Sequence, residues 1–533
     1  MNLHLHVTLN PLRHLLRTAV FYQILLYTAP ALLLALFLRI LLTLRMPYGY
    51  VQYDTAEYLE TPFRLLKSGA FFVDGKRGFL VPILFTIPFL LHIPALVAIP
   101  LAQHFLGLAA TFMSGALTRF WFRSWRWFIF PVTFYVAANP SMLWYEQTIM
   151  GESEFLFALI FLALAGTLWA RRPSPARFKF LLFALICTAG ARPEGRLFFA
   201  FGLLLVLLVL WRKSCKWRPL FRCAAAILAL AFIWSLIVRQ STAPQLLYAS
   251  LIQLAPDHSR LLPGVEPYII PLRDQVRAES NGDPQQLVKV SKKVRDSIDP
   301  FLWLTARDNH MYYKVLNRTL RDLCLDAVLA HPFQAMAIPL QKFRVAVDSW
   351  SAYQFSDQAL HRNQIDAYTA DKWLFDFLGK GLTGAPLDEP AMRAFITAHY
   401  LPADVAWVGR FQAAWNNATL WCRTPDRPLP RDRWVHDFAG GVPGGLKVMP
   451  GLPWFYPIAL LGMLAAMIAS HPARRLHLAW VPVMLLIWYA ATFVGVTNAR
   501  YRFAYEPFCF IYLCLLADSL TRILPRAKAP PTA

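Results

Sequence analysis

The chain has 533 residues, of which 57% are hydrophobic, 15% aromatic and only 16% charged, and its net charge is +22. A soluble globular chain carries about 25% charge, and a nucleic-acid-binding protein gathers its Lys and Arg on one surface. Here the cations lie in short segments between long apolar runs, which excludes both classes and predicts an all-α polytopic membrane protein.

The N-terminus carries Arg13 and Arg17 and no acid before the first apolar run, 21–45. That run is too long for a signal-peptide core and lacks a small-x-small cleavage site, so it reads as a retained helix. The connection 46–78 follows, with "YDTAEYLETPFRLLKSGAFF" placing Asp54, Glu57 and Glu60 within seven residues and Asp74 beyond them. The proline-containing run 79–93 reads as a broken or interfacial helix rather than a crossing. Further spans are predicted at 95–117, 127–144, 153–170, 178–191, 196–211 and 221–239, then at 453–470, 477–495 and 503–522. With the first, these make ten crossings. They divide the chain into an N-terminal transmembrane module, 1–239, a polar stretch, 240–452, and C-terminal helices with a tail, 453–533.

Charge orients the spans. The segments 118–126, 171–179, 212–222 and 471–476 and the tail with Arg526 and Lys528 are basic and hold no Asp or Glu. The positive-inside rule makes them cytoplasmic, with both termini inside, which ten crossings satisfy and eleven do not. The opposite connections carry the acids: Asp54, Glu57, Glu60 and Asp74, then Glu146, Glu152 and Glu154, then Glu194, then Glu506. This one-sidedness points to a polar site at the outer rim of the bundle.

Each acid also has a plainer reading. Asp54 and Glu57 share a helix face at a spacing of three, and the same Asp-x-x-Glu forms a capping box. Glu152 and Glu154, in "MGESEFLFALIFLAL", open a span where the helix dipole alone favours anions. "TAGARPEGRLFF" sets Arg192, Glu194 and Arg196 around Pro193 in a short outer turn, as interface markers or as part of a site. "TNARYRFAYEPFCFIY" places Arg500 and Arg502 at a helix start, where the dipole disfavours cations and an anionic ligand would explain them. Arg39, near the outer end of the first span, either joins them or snorkels to the interface.

In series, "YDTAEYLETPFRLLKSGAFF", "RGFLVPILF", "GESEFLFALIFLAL", "ARPEG" and "ARYRFAYEPF" resemble the membrane glycosyltransferases of the GT-C superfamily, nearest to bacterial proteins similar to protein O-mannosyltransferases and the lipid A aminoarabinose transferase. The likeness covers 20–240 and 450–520 in pattern. It implies a GT-C fold, a large extracytoplasmic, mainly helical loop domain, and a bacterial inner-membrane enzyme with its site on the periplasmic side. The family's catalytic carboxylate in the first outer loop matches Asp54. The family's adjacent Asp-Glu pair is replaced here by "DTAE", so the partner acid is Glu57, Glu152 or Glu154. No Asp-x-Asp motif stands here, and no metal or other cofactor is implied.

The chemistry follows from the sidedness. Nucleotide sugars are cytoplasmic, so an outer site draws on a lipid-linked sugar, typically a polyprenyl phosphate, and an acceptor whose identity the sequence leaves open. Such a transfer asks for a base, assigned to Asp54, and for cations on the departing phosphate, assigned to Arg500 and Arg502 with Arg192 as a second candidate. Partners are thus membrane lipids and the donor, and no nucleic acid. Two other readings stay open: an O-antigen-ligase-like transferase using Arg318, Arg321 and His310 of the long loop, and a lipid or solute transporter, which would show repeated halves with broken helices near the midplane.

Within 240–452, helices are expected at 285–298 and 310–330, and at 331–350 an element lying on the membrane surface. Cys324 and Cys422 in this stretch are either a disulfide or two inert thiols.

Overall fold

The computed structural model describes residues 19–51, 55–69, 78–211, 217–237, 324–337, 455–468, 474–493 and 504–521, with isolated positions between 251 and 398. Among them the chain is helical, and its one β contact is a parallel bridge between Tyr50 and Thr148. The helices are α1 (Ala19–Arg45), α2 (Thr55–Ser68), α3 (Leu80–Leu90), α4 (Ala95–Trp121), α5 (Trp125–Ala138), α6 (Pro140–Gln147), α7 (Glu152–Arg171), α8 (Pro175–Ala191), α9 (Phe198–Leu210), α10 (Trp217–Ile237), α11 (Phe455–Ile468), α12 (Arg474–Phe493) and α13 (Glu506–Leu520). A 3₁₀ turn, Pro193–Leu197, leads into α9.

Four of these are long and apolar enough to cross a membrane: Val20–Leu44, Ala95–Trp121, Glu152–Arg171 and Pro193–Leu210. Helix α1 shows what a bilayer demands of an outer helix. Ile24, Ala31, Ala35, Leu38 and Leu42 on one face are buried, while Tyr22, Leu26, Leu33, Phe37 and Leu44 on the other are 59–75% exposed. Both faces are apolar, which suits a helix packed on protein on one side and on lipid on the other.

Helix α4 lies among α1, α5 and α7, and α13 packs on α11 and α5. At Gly462 in α11 a Cβ would collide with the carbonyl of Tyr512, so only glycine permits that approach. Tyr135 of α5 stacks on Phe510 of α13 at 4.2 Å, and Trp480 of α12 meets Phe198, Phe201 and Phe508. The C-terminal helices thereby complete the core of the N-terminal module.

Every predicted span has a helical counterpart, but the stretch 127–144 is two helices rather than one. Asn139 caps α6 by accepting from the amide of Ser141 at 2.9 Å, and Pro140 at N1 has no amide with which to continue α5. The run 79–93 contains α3, whose 11 residues are too few to cross. Most of the long loop, including 285–298, Arg318, Arg321, His310 and Cys422, lies outside the described residues. Of the predicted surface element, 332–337 is helical, and Leu325, Leu329, Phe333 and Met336 are exposed at helical spacing. The Cys324 thiol is free.

Candidate functional site

The N-terminus of α7, the C-terminus of α8 and the N-terminus of α13 share one end of the bundle with the segment that follows α1. That segment is fixed by backbone pairing. Gly49 donates to the carbonyl of Leu96 at 2.7 Å, Tyr50 donates to that of Gln147 at 2.8 Å, and Ile149 donates to that of Tyr50 at 2.9 Å. The Gln147 side-chain amide donates to the carbonyls of Met46 and Tyr48 at 2.7 and 3.0 Å. On the far side of residues 52–54, the Thr55 hydroxyl donates to the carbonyl of Ile149 at 2.9 Å. Tyr50, buried and stacked on Trp144 at 4.8 Å, closes the contact, and burial pushes its phenol well up. Both flanks of residues 52–54 are therefore held by the chain between α6 and α7.

Beneath this loop lies a buried charge network. Arg39 donates to Glu146 Oε1 at 2.5 Å, and to the carbonyls of Ala35 and Ala137, with 3% of either charged side chain exposed. Arg39 therefore does not snorkel: a buried carboxylate within reach is a better partner than distant interface water. Glu146 Oε2 lies 2.9 Å from His104 Nδ1, and His104 Nε2 lies 3.0 Å from Gln147 Oε1. Because the Gln147 amide nitrogen is committed to two carbonyls, its oxygen faces His104, so Nε2 is the donor there. Gly107 makes room for the network, since a Cβ there would collide with the Glu146 carboxylate.

A second network sits at the mouth. Arg192 follows α8 in extended conformation and is 6% exposed; its Nη1 lies 3.1 Å from Glu152 Oε1 and its Nε 2.6 Å from Glu194 Oε1. Its guanidinium also rests 5.7 Å from the Phe155 ring centroid. Glu154 accepts from Gln103 at 3.3 Å and from Ser153 at 3.1 Å, while Gln103 also donates to the carbonyl of Met150 at 2.7 Å. Tyr505, at the cap of α13, is 1% exposed, lies within electrostatic reach of Glu194 and Arg192, and its hydroxyl has no hydrogen-bond partner among the described residues. The last helix is thus brought to the 3₁₀ turn through 194 and 505.

Of the predicted site residues, Glu152, Glu154 and Arg192 are buried together here. Glu57 stands in the first turn of α2, half-buried, and Glu60 is tied to exposed Arg64 at 2.5 Å in an i,i+4 pair. Asp54, Arg500 and Arg502 lie outside the described residues. Arg192 differs from an open phosphate fork, because two carboxylates already engage it. Gln103, His104, Gln147 and Tyr505 were not expected. Adjacent polar residues within the run 95–117 are the signal that marks the first two. Among the described residues no group of three or more His, Cys, Asp or Glu side chains converges as a metal cage.

No family model matches the chain, and no curated protein matches it. Its described residues define a helical protein with apolar segments of membrane-spanning length.

Proposed function

We propose that this protein is a membrane glycosyltransferase of the GT-C type, with ten crossings and its site on the extracytoplasmic side of a bacterial inner membrane. It moves a sugar from a polyprenyl-phosphate donor to an acceptor hydroxyl with inversion. The observation that carries the reading is the gathering of Glu146, Glu152, Glu154, Glu194 and Glu506 at the bundle end to which the flanks of Asp54 are fastened. Carboxylates are costly beside lipid and are retained there for chemistry.

In the proposed step Asp54 takes the proton of the acceptor hydroxyl as its oxygen attacks the anomeric carbon. The bond from that carbon to the phosphate oxygen breaks, and polyprenyl phosphate leaves with the electron pair. An oxocarbenium-like transition state is served by the surrounding carboxylates, and the departing phosphate by the guanidinium forks of Arg500 and Arg502. Arg192, held between Glu152 and Glu194, takes a positioning role before any direct one on phosphate. Glu57 and Glu154 remain as the acids that accompany Asp54. The exposed apolar residues Leu325, Leu329, Phe333 and Met336, at helical spacing, suit an element lying on a membrane surface.

The test is incubation of purified protein with polyprenyl-phosphate-linked sugars and a membrane extract. Wild type releases polyprenyl phosphate and labels an acceptor, whereas Asp54→Asn does neither. Full transfer by Asp54→Asn refutes the base assignment, and movement of intact lipid without sugar release refutes the enzyme class.

A further inference from the structure

The opposite end of the bundle carries the reverse charge, in a defined cluster. The C-terminus of α7 meets that of α4: the Arg171 guanidinium lies 5.0 Å from the Phe120 ring centroid, and Trp121 Nε1 donates to Thr167 at 2.9 Å. Arg119 and Arg126 sit 4.6 and 5.7 Å from the Trp125 ring centroid. Arg119 is within electrostatic reach of both Arg126 and Arg171, and Arg177 is within reach of Arg171 and Arg172.

Like charges so placed repel, and a carboxylate would normally stand among them. Asp518 reaches this end, but its two oxygens accept from the backbone amides of Arg123 and Ser124 at 3.2 and 3.1 Å. Arg177 is spent on the carbonyls of Leu168 and Arg172, closing the end of α7. Arg119, Arg126, Arg171 and Arg172 have no ion pair with a carboxylate among the described residues. Beside them Trp127 is 83% exposed, in the manner of an aromatic ring seated at headgroup level.

We propose that the junctions α4–α5 and α7–α8 together bind the phosphate headgroup of an anionic phospholipid through the guanidiniums of Arg119, Arg126, Arg171 and Arg172. Aromatic rings hold three of the four planar forks in place, those of Arg119, Arg126 and Arg171, and such forks match phosphate oxygens. Trp127 and, one turn further along the same helix, Phe130 are exposed apolar rings that follow Arg126, a surface for acyl chains, so the occupant is a lipid rather than a free anion. This inference is independent of the transferase reading.

The full chain in detergent is titrated with phosphatidylglycerol, phosphatidylcholine of the same acyl chains, or inorganic phosphate, and followed by thermal unfolding and native mass spectrometry. Phosphatidylglycerol alone raises the unfolding temperature and stays bound. Arg119→Gln/Arg171→Gln weakens its binding by roughly tenfold, while Arg218→Gln/Arg222→Gln, an equal charge change at exposed positions of α10, leaves it within about twofold. Should the first pair not fold, Arg126→Gln/Arg172→Gln, at exposed positions, gives a loss of about threefold or more. Equal stabilisation by phosphatidylcholine, the same effect from inorganic phosphate, or equal losses from the α10 pair and the cluster pairs would each overturn the proposal.

Discussion

Glu146 engages Arg39 with one oxygen and His104 with the other, inside a bundle where no more than 5% of any of the three side chains is exposed. Removing one partner of such a pair strands the other charge, at a cost of about 3–5 kcal/mol. Glu146→Ala should therefore lower the unfolding temperature sharply in detergent, whereas Arg39→Leu/Glu146→Leu, which removes both charges, should recover most of the loss. Gln147 poses a different case, because its amide ties two loop carbonyls rather than a charge. Gln147→Leu should leave those carbonyls unsatisfied at about 1–3 kcal/mol and speed amide exchange at Gly49 and Tyr50, with little change in the helices. Unchanged exchange there would remove Gln147 from its anchoring role. None of these contacts was legible, since Arg39 pairs with a residue 107 positions away and the apolar context of His104 hid its partner. Glu60 was legible in kind: Arg64 four residues on is a local ion pair, so the tight group of three acids in the first connection dissolves into one surface pair and two candidates.

At the scale of elements, sequence and structure agree where length and hydropathy decide and part where a local break decides. The apolar runs locate α1, α4 and α7 to within a few residues, because a span must satisfy its backbone internally and so must be helical. The stretch 127–144 is one apolar run by composition, but Asn139 and Pro140 are a cap and a first-turn proline, and that pair ends α5. Asp518, apolar in context and acidic in kind, finds its partners in a turn about 395 positions earlier, which no local pattern encodes. Contact between α11 and α13 rests on Gly462. Gly462→Val should push these helices apart and destabilise the fold by about 1–3 kcal/mol, read as a lower unfolding temperature, while Leu461→Val on the exposed face should change little.

Among the described residues the charges separate, with Glu152, Glu194 and Glu506 at the end shared by α7, α13 and the 3₁₀ turn and the guanidiniums of Arg119, Arg126, Arg171 and Arg172 at the other. The sequence conveyed this polarity through the alternation of acidic and basic connections, but not the depth at which Arg192 and Glu146 are held, because burial depends on helices far apart in the chain. The transferase reading requires the acidic end to face away from the cytosol, since the donor sugar is carried there by lipid. Labelling with a membrane-impermeant maleimide in intact cells, in a background without the native cysteines, tests this directly. Glu57→Cys should be labelled in intact cells and Arg126→Cys only after permeabilisation. The reverse pattern, or labelling of both positions from one side, would contradict the transferase reading.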